Sequence, residues 1–186
     1  FQLAATGGGG GQQIGQIYKS IDNGATWTID TAGISAVPAS NGILPPVFFA
    51  DRNGRKSIIN SSGTGVPLRL YSANPTWAID TAGMRLLASN QQTQAATAMH
   101  TDFTMTNQYV SGVIYNQQFA IQDVILFKRA YSGGTWTTDT AGLNKAPVVS
   151  ITSDKSNTYC GSTAVNGISS IFRKNAGGWE KIVSPP

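Results

Sequence analysis

Cysteine and charge are both scarce in this chain of 186 residues. Cys160 is the only cysteine, which excludes an intrachain disulfide and a cysteine-based metal site. Charged residues make up only 12% of the chain, about half the usual share, so its polar surface must consist mostly of Ser, Thr, Asn, Gln and Gly. Such a neutral polar composition is common in extracellular and virion β-proteins. We therefore expect an extracellular, virion-surface or cell-surface location.

Basic clusters and long apolar runs are missing as well. The net charge is +4, yet no run of lysine or arginine exceeds two residues, whereas a nucleic-acid-binding domain usually carries a clustered basic stripe. No apolar stretch approaches the roughly 20 residues of a membrane-spanning helix. We expect no nucleic acid partner and no membrane insertion. Weak attraction to an acidic polysaccharide or cell surface stays open.

Helical patterns are almost absent. Residues 86–98 have the best helix composition, but they are rich in Gln and Asn and lack an apolar stripe of helical period. We expect a loop or surface insertion there. The glycine tract at residues 7–11 is typical of a flexible link or of closely approaching strands. The chain is therefore predicted to be all-β.

A tryptophan-containing hairpin pattern recurs four times. In each copy a β-branched or aromatic run meets a turn-forming segment, and a second run begins near the tryptophan. The tryptophans are Trp27, Trp77, Trp136 and Trp179, at intervals of 50, 59 and 43 residues. Each of the three intervals also holds further strand candidates, and four strands in about 50 residues is typical of a propeller blade. We predict one domain, a β-propeller of about four blades over residues 1–33, 34–83, 84–142 and 143–186.

The first repeat holds fewer strand candidates than the others. Residues 1–6, 12–19 and 25–30 supply three strands rather than four. Only residues 184–186 follow the last predicted strand, and their two prolines cannot serve in a central strand. We expect the first blade to be short, or to be completed from elsewhere. A neighbouring copy that adds a strand would produce an extended assembly.

The first three repeats run on into an Asp-Thr-Ala-Gly tail, at residues 30–33, 80–83 and 139–142. Each tail is predicted to end the outer strand, where Asp and Thr cap backbone groups and Gly bends the chain toward the next blade. Repeated carboxylates also raise the possibility of calcium. Calcium needs six to eight oxygen ligands, however, and each tail offers one carboxylate. We expect no metal and no cofactor.

Residues 20–27 match the pattern Ser-x-Asp-x-Gly-x-Thr-Trp at every defined position. This resembles the Asp-box, or BNR repeat, of sialidases, sortilin-type receptors and many secreted β-propellers. The second and third copies lack the Asp, and the fourth keeps only its Gly and Trp. In the resembled family the motif lies on the blade periphery, away from the active site, which implies a structural role. The residues assigned to that role are Ser20, Asp22, Gly24, Thr26, Trp27, Trp77, Trp136 and Trp179.

These residue types have a physical role of their own. The Asp22 carboxylate can accept hydrogen bonds from backbone N–H groups that follow it in a tight turn, and Gly24 permits a left-handed conformation. A tryptophan can bury a large area between neighbouring blades. We expect all four tryptophans to be buried in this way.

The sialidase resemblance does not extend to catalytic motifs. Such enzymes need an arginine cluster, a Tyr/Glu pair and an Asp acid, whereas the only glutamate here, Glu180, is on a predicted outer strand. The Arg-Ile-Pro motif is missing near residues 43–45. The only histidine, His100, could form a triad with Asp102, but no Gly-x-Ser-x-Gly elbow is present. We expect no catalytic residues and keep a glycoside hydrolase as a distant alternative.

Binding is the favoured function class, because similar blade edges around a ring suit weak, repeated contact with a polymer. The basic residues at aligned or adjacent positions are Lys19, Lys128, Arg129, Arg173 and Lys174. They could form a ring for acidic sugars, or they could be ordinary solvated strand charge. We expect a non-catalytic binding or adhesion protein that recognises a glycan or surface polymer. The alternative is a structural subunit of a virion, filament or surface layer.

Overall fold

The computed structural model describes residues 2–5, 17–30, 32, 47–60, 69–73, 76–84, 93–116, 118, 120–165 and 168–183. Every regular element in these ranges is a β-strand, and none is a helix. No membrane-spanning helix is therefore found in this part of the chain. The prediction of an all-β chain is confirmed. The glycine tract, residues 43–45 and residues 184–186 lie outside the described ranges.

The strands form four antiparallel sheets, each an up-and-down meander in chain order. The first sheet contains three strands, β1 (Gln2–Ala5), β2 (Ile17–Ser20) and β3 (Thr28–Ile29). The second contains β4 (Val47–Ala50), β5 (Lys56–Asn60), β6 (Arg69–Ala73) and β7 (Trp77–Ile79). The third contains β8 (Thr93–Thr101), β9 (Asn107–Tyr115), β10 (Ile121–Ala130) and β11 (Thr137–Thr138). The fourth contains β12 (Val148–Ser153), β13 (Thr158–Val165), β14 (Ile168–Asn175) and β15 (Gly178–Val183).

The second, third and fourth sheets meet along their first strands, since β8 contacts both β4 and β12. His100 of β8 marks the meeting point. Its ring lies edge-on to Phe49 of β4 at 6.5 Å between centroids, and its Nε2 is 2.8 Å from Ser153 Oγ of β12. The first sheet has no strand equivalent to β4, β8 or β12 in the described part of the chain. The predicted three-strand count of the first repeat therefore matches the described sheet, and the strand it lacks is the first.

The core is split between the two faces of the third sheet. Val110 and Phe127 contribute to a cluster shared with the second sheet, whereas Tyr109 and Leu126 contribute to a cluster shared with the fourth. Neighbouring residues take opposite sides because side chains alternate along a strand. The third sheet is thus covered on both faces, which explains why nearly all of β9 is buried.

Two sequence expectations for the third repeat are corrected. Of the segment 86–98, expected to form a loop, residues 86–92 lie outside the described ranges, whereas residues 93–98 belong to β8, together with the strand candidate at 97–100, because β9 pairs with them. Small Ala96 is buried there and lets the strand lie close to its neighbours. The sequence pattern also predicts two strands, at 104–110 and 113–119, whereas the described residues of this range contain the single strand β9 after a turn at Asp102. None of the sheets closes on itself within the described residues, and the four-bladed ring remains a prediction.

Candidate functional site

The Asp-box turn between β2 and β3 is held together by its own side chains. The Thr26 amide donates to Asp22 Oδ1 at 2.9 Å, and the Thr26 hydroxyl donates to Asp22 Oδ2 at 2.5 Å. Ser20 Oγ donates to Asp22 Oδ1 at 2.8 Å and accepts from the Gly24 amide at 2.8 Å. The Thr26 hydroxyl bond, with the Thr26 amide and Ser20 bonds, lowers the pKa of Asp22 to about 2. This carboxylate is a permanently ionised anchor and is unsuited to donate a proton at neutral pH.

Three tryptophans are buried against the preceding repeat. Trp77, Trp136 and Trp179 are at most 3% exposed. The backbone N–H of each donates to the alanine carbonyl of the preceding Asp-Thr-Ala-Gly tail: Trp77 to Ala32 at 3.0 Å, Trp136 to Ala82 at 2.8 Å and Trp179 to Ala141 at 2.8 Å. We call each such contact between a tryptophan and a preceding tail an inter-sheet junction.

The indole side chain extends two of these junctions. Trp136 Nε1 donates to the Asp80 carbonyl at 3.0 Å, and Trp179 Nε1 donates to the Asp139 carbonyl at 2.9 Å. Each of these two tryptophans therefore binds the main chain of a tail at two points. This double attachment satisfies buried polar groups on both sides.

Trp27 is different. It is 42% exposed, and its indole N–H donates to the Gly24 carbonyl of its own turn at 3.1 Å. No tail precedes it within the described residues. The expectation that all four tryptophans are buried between sheets is therefore wrong for Trp27.

The tail glycines allow the close approach of the junctions. Gly83 and Gly142 have φ angles of 86° and 87°, a region that side chains other than glycine rarely adopt. A Cβ atom at either position would overlap the carbonyl oxygen of the next tryptophan, Trp136 or Trp179. Both the turn and the contact therefore require glycine.

The tail aspartates are neutralised by basic side chains. Arg129 binds both carboxylate oxygens of Asp80, and Lys174 binds Asp139. Asp30 lies 3.5 Å from both Lys19 and Lys56. The cations come from the sheet that follows each tail, except Lys19, which belongs to the same repeat as Asp30. No group of three or more potential metal ligands occurs among the described residues.

The five aligned basic residues do not share one surface. Arg129 is buried, with its guanidinium 4.3 Å above the Trp136 ring, and Lys174 Nζ lies 5.4 Å from the Trp179 ring. Arg173 is exposed and pairs with Glu180 at 3.1 Å. Lys128 alone of the five lines an open groove without an ion-pair partner in the described part of the chain.

This groove lies between the third and fourth sheets and has a volume of about 590 Å³. We call it the polar groove. Its walls come from four places: the turn after β8, the β10–β11 hairpin, the turn after β12 and the β14–β15 turn. The lining residues are Asp102, Phe103, Thr104, Thr106, Asn107, Tyr109, Lys128, Thr137, Asp139, Asp154, Lys155, Ser156, Asn157, Thr158, Lys174, Asn175 and Ala176.

The carboxylates of the polar groove are committed to the protein. Asp102 accepts from the amides of Thr106 and Asn107 at 2.7 and 2.9 Å. Asp154 accepts from the amides of Ser156 and Asn157, both at 2.7 Å, which lowers its pKa. Asp139 is paired with Lys174, as described above. Asp102 and Asp154 therefore shape their turns through hydrogen bonds but have no ion-pair partner among the described residues, and the buried Oδ2 of Asp139 has no hydrogen-bond partner among them.

Two ammonium groups of the groove remain unpaired within the described residues. Lys128 belongs to the third sheet, and Lys155 belongs to the turn after β12 in the fourth. Partly exposed Phe103 lies at the groove, and Arg52 of the second sheet stacks on its ring at 4.4 Å. The groove thus presents two ammonium groups, the carboxylates of Asp102 and Asp154, several hydroxyl and amide groups and one partly exposed aromatic ring.

The nucleophilic and titratable groups nearby are in inert settings. Burial raises the pKa of Cys160 to about 12, and burial likewise raises the pKa of Tyr109 to about 12. Burial also lowers the pKa of His100, which is hydrogen-bonded to Ser153. The oxygens of Asp102 bind its own turn, so His100 and Asp102 do not form the contact of a triad.

Sequence reasoning missed the polar groove because its two walls are far apart in the chain. A signal was available in the turns that follow β8 and β12, since each begins with an aspartate, Asp102 and Asp154, that caps backbone amides. In an alignment of these two turns, Phe103 and Lys155 take the same position, directly after the aspartate, and both residues line the groove.

No protein-family model matches the chain, and a search of curated proteins finds no match. The candidate function therefore depends on the geometry of the polar groove and of the inter-sheet junctions.

Proposed function

We propose that the chain is a non-catalytic, extracellular β-propeller of the Asp-box type that binds an acidic glycan or a similar anionic surface polymer in the polar groove. The observation that carries this proposal is the pair of ammonium groups, Lys128 and Lys155, which face one open groove from two different sheets. Unpaired cations among hydroxyl and amide groups are the chemistry that recognises a carboxylated or sulfated sugar.

The repeated junctions support the propeller. Each joins a tryptophan at the start of the last strand of one sheet, or just before it, to the tail of the preceding sheet, while the first strands of three sheets lie together at the other edge. Sheets that share an inner edge and repeat one outer contact are arranged as blades are in a propeller.

The size and lining of the groove support a glycan. A volume of about 590 Å³ lies within the range of small-ligand sites, which suits a few sugar units of a longer chain. The Phe103 ring, which is 39% exposed although Arg52 stacks on it, adds an apolar group to the lining of the groove. Polar walls with few apolar groups do not favour a lipid or a drug-like ligand.

The state of the carboxylates supports a non-catalytic role. A glycosidase acid needs a raised pKa so that it keeps its proton near neutral pH. The pKa values of Asp22 and Asp154 are lowered instead, and the carboxylates of Asp80 and Asp139 are each held by a cation. Each of these groups is better suited to hold a turn or a junction than to transfer a proton.

Calorimetric titration with a heparin tetrasaccharide, and separately with neutral dextran oligosaccharides, tests the proposal. We expect the acidic sugar to bind, and to bind more weakly as salt rises, whereas dextran binds at least about tenfold more weakly. The Lys128→Ala/Lys155→Ala double variant should lose affinity for the acidic sugar by about tenfold or more. Arg173→Ala is the matched control, since Arg173 aligns with Lys128 but pairs with Glu180 outside the groove.

Two outcomes would contradict the proposal. Equal losses in the double variant and in Arg173→Ala would show general charge attraction rather than a groove site. Cleavage of the oligosaccharide during incubation, detected by mass spectrometry, would show that the protein is an enzyme.

A structural subunit of a larger assembly is the second candidate. One observation favours it, which is the exposed face around Trp27 on the first sheet.

A further inference from the structure

The turn between the first two strands is built alike in the second, third and fourth sheets. Each turn begins with an aspartate whose backbone N–H donates to the carbonyl of the residue that closes the turn. These bonds run from Asp51 to Arg55, from Asp102 to Asn107 and from Asp154 to Asn157, all at 3.0 Å. The three closing residues are therefore equivalent positions, and so are the residues directly after each aspartate.

Between the second and third sheets, long side chains fill the space beside these turns. Arg55 stacks on the Tyr131 ring at 4.3 Å, and its Nη1 donates to the Tyr131 carbonyl at 2.8 Å. Asn53 Nδ2 donates to the Tyr131 hydroxyl at 3.2 Å. Arg52 stacks on the Phe103 ring and donates to the Phe103 carbonyl. We call this filled space the closed cleft.

The later sheet supplies an aromatic ring to the closed cleft but not to the polar groove. Tyr131 comes two residues after Arg129, which pairs with the tail of the second sheet. Ala176 comes two residues after Lys174, which pairs with the tail of the third, so the two positions are equivalent. Ala176 is exposed and lines the groove. A methyl group therefore stands where the closed cleft has a phenol ring.

The earlier sheet supplies a long cation to the closed cleft and a short amide to the polar groove. Asn107, at the position of Arg55, is half-buried and lines the groove. Its Nδ2 donates to Asp102 Oδ2 of its own turn at 2.8 Å, so this side chain is held at its own sheet. The space that Arg55 and Tyr131 fill in the closed cleft is therefore open in the polar groove.

We propose that a sugar ring of the bound glycan occupies this open space, over Ala176 and beside Asn107, as the Tyr131 ring occupies the closed cleft. This inference rests on the glycan-binding function proposed above, and it makes Asn107 and Ala176 the residues that determine which ligands fit. A pyranose is a six-membered ring, as the ring of tyrosine is, and its edge carries hydroxyl groups that an amide side chain can bind.

The charges of the groove suit such a ligand. Lys128 and Lys155 line the groove and bind the acidic groups of the glycan. The carboxylates of Asp102 and Asp154 also line it, and each accepts hydrogen bonds from backbone amides of its own turn. A carboxylate bound in this way has further lone pairs for a sugar hydroxyl. A ligand with both hydroxyl and acidic groups therefore fits the groove better than a plain anion.

Filling the open space tests the inference. The Asn107→Arg/Ala176→Tyr double variant introduces the side chains that fill the closed cleft, and should bind the heparin tetrasaccharide at least about tenfold more weakly in calorimetric titration. It also adds one positive charge, so general charge attraction predicts tighter binding instead. Thr138→Arg is the matched control, because it adds the same charge on the exposed strand β11, outside the groove lining. It should bind at least as tightly as the wild type.

Labelling of an introduced thiol tests the same space without filling it. Ala176→Cys should react readily with N-ethylmaleimide, whereas the native Cys160 is buried and reacts slowly. Tetrasaccharide at ten times its dissociation constant should slow this reaction about tenfold, because it leaves about a tenth of the sites free. Thr138→Cys is the control, and its labelling should not change with the sugar.

Two results would overturn the inference. If the wild type binds the tetrasaccharide, but the sugar does not protect Ala176→Cys, the ring lies elsewhere and the proposed glycan-binding function stands alone. Undiminished binding by a double variant that keeps the circular dichroism spectrum of the wild type leads to the same conclusion. A wild type that does not bind the tetrasaccharide contradicts the proposed function as well, so the two failures are distinguishable.

Discussion

The first sheet and the fourth sheet contain the same tryptophan hairpin but stabilise it in opposite ways. In the first sheet the Trp27 indole binds its own turn, and Lys19 pairs with an aspartate of its own repeat. In the fourth sheet the Trp179 indole and Lys174 both bind the tail of the preceding sheet. The hairpin is therefore self-supporting at one end of the array and supported by its neighbour at the other.

This difference explains where the complete Asp-box occurs. The full set of Ser, Asp, Gly, Thr and Trp is present only in the repeat whose tryptophan is uncovered. The Asp22 carboxylate fixes that turn through Ser20 and Thr26, without help from another sheet. Where a preceding tail buries the tryptophan, the junction holds the hairpin in place, and the hydrogen bonds of an Asp-box turn are not needed.

Removing a tryptophan should give the largest difference in stability between the first sheet and the later ones. Trp136→Ala and Trp179→Ala each leave a cavity and one unpaired carbonyl in a junction, that of Asp80 or Asp139, and should lower the free energy of unfolding by about 3–5 kcal/mol. Trp27→Ala should lower it by about 1 kcal/mol or less, because the ring is half-exposed. Urea denaturation of dilute protein measures these values. Similar losses at all three positions would mean that Trp27 is buried in solution.

Removing the basic partner of a tail should give the next largest difference. Arg129→Met leaves Asp80 without its cation beside a buried surface, and should cost about 3 kcal/mol. Lys19→Met should cost less than about 1 kcal/mol, since the Lys19 side chain is 39% exposed and Lys56 still faces Asp30. Thermal melts of the two variants at equal ionic strength provide the test, and a larger loss for Lys19→Met would refute the assignment of Arg129 to a junction.

A pair of glycine substitutions separates backbone strain from close approach. Gly142→Ala is strained by its φ of 87° and also overlaps the Trp179 carbonyl, so it should cost about 2 kcal/mol or more. Gly54→Ala has a similar φ of 77° but no atom within 4 Å of the new methyl, and should cost about 1 kcal/mol. Denaturant midpoints compare them directly. Equal losses of stability in the two variants would show that the junction accommodates a methyl group without a further cost.

The smallest effect concerns pH and the Asp-box alone. Because the pKa of Asp22 falls from 3.8 to about 2 on folding, its stabilisation is complete above about pH 4 and is lost as the pH falls through about 2. Asp22→Asn should therefore show a smaller loss of melting temperature between pH 5 and pH 2 than the wild type. Carboxyl chemical shifts in an NMR titration measure the Asp22 pKa itself, and a value near 4 would contradict the hydrogen bonds from Thr26 and Ser20 to this carboxylate.

Much of the secondary structure could be predicted from local pattern. The tryptophan hairpins, the aspartate turns and the three strands of the first repeat follow from turn chemistry and alternation over a few residues. The segment at 93–98 could not be predicted in this way, because four of its six residues are Gln or Ala, which do not favour a strand. These residues form a strand because β9 lies beside them and supplies the hydrogen-bond ladder.

The binding surface was less predictable than the strands. The five aligned cations were a reasonable hypothesis from spacing, yet strand alternation sends neighbours such as Lys128 and Arg129 to opposite faces of one sheet. Arg129 reaches Asp80 in the second sheet, and Lys128 lines the groove beside the fourth. Lys155 escaped notice because it lies in a turn whose partners are distant in the chain.

The junctions also determine how freely these repeats can diverge. Their shared hydrogen bond runs from a tryptophan amide to an alanine carbonyl, and both groups are main-chain groups that almost any substitution leaves in place. Substitution is therefore restricted mainly at the tail glycine, where a Cβ atom would overlap the tryptophan carbonyl, and at the buried tryptophan ring. The fourth repeat keeps only Gly178 and Trp179 of the Asp-box pattern, yet Trp179 still forms its junction with the preceding tail. Repeats of this kind can therefore become unrecognisable in sequence and still stack in the same way.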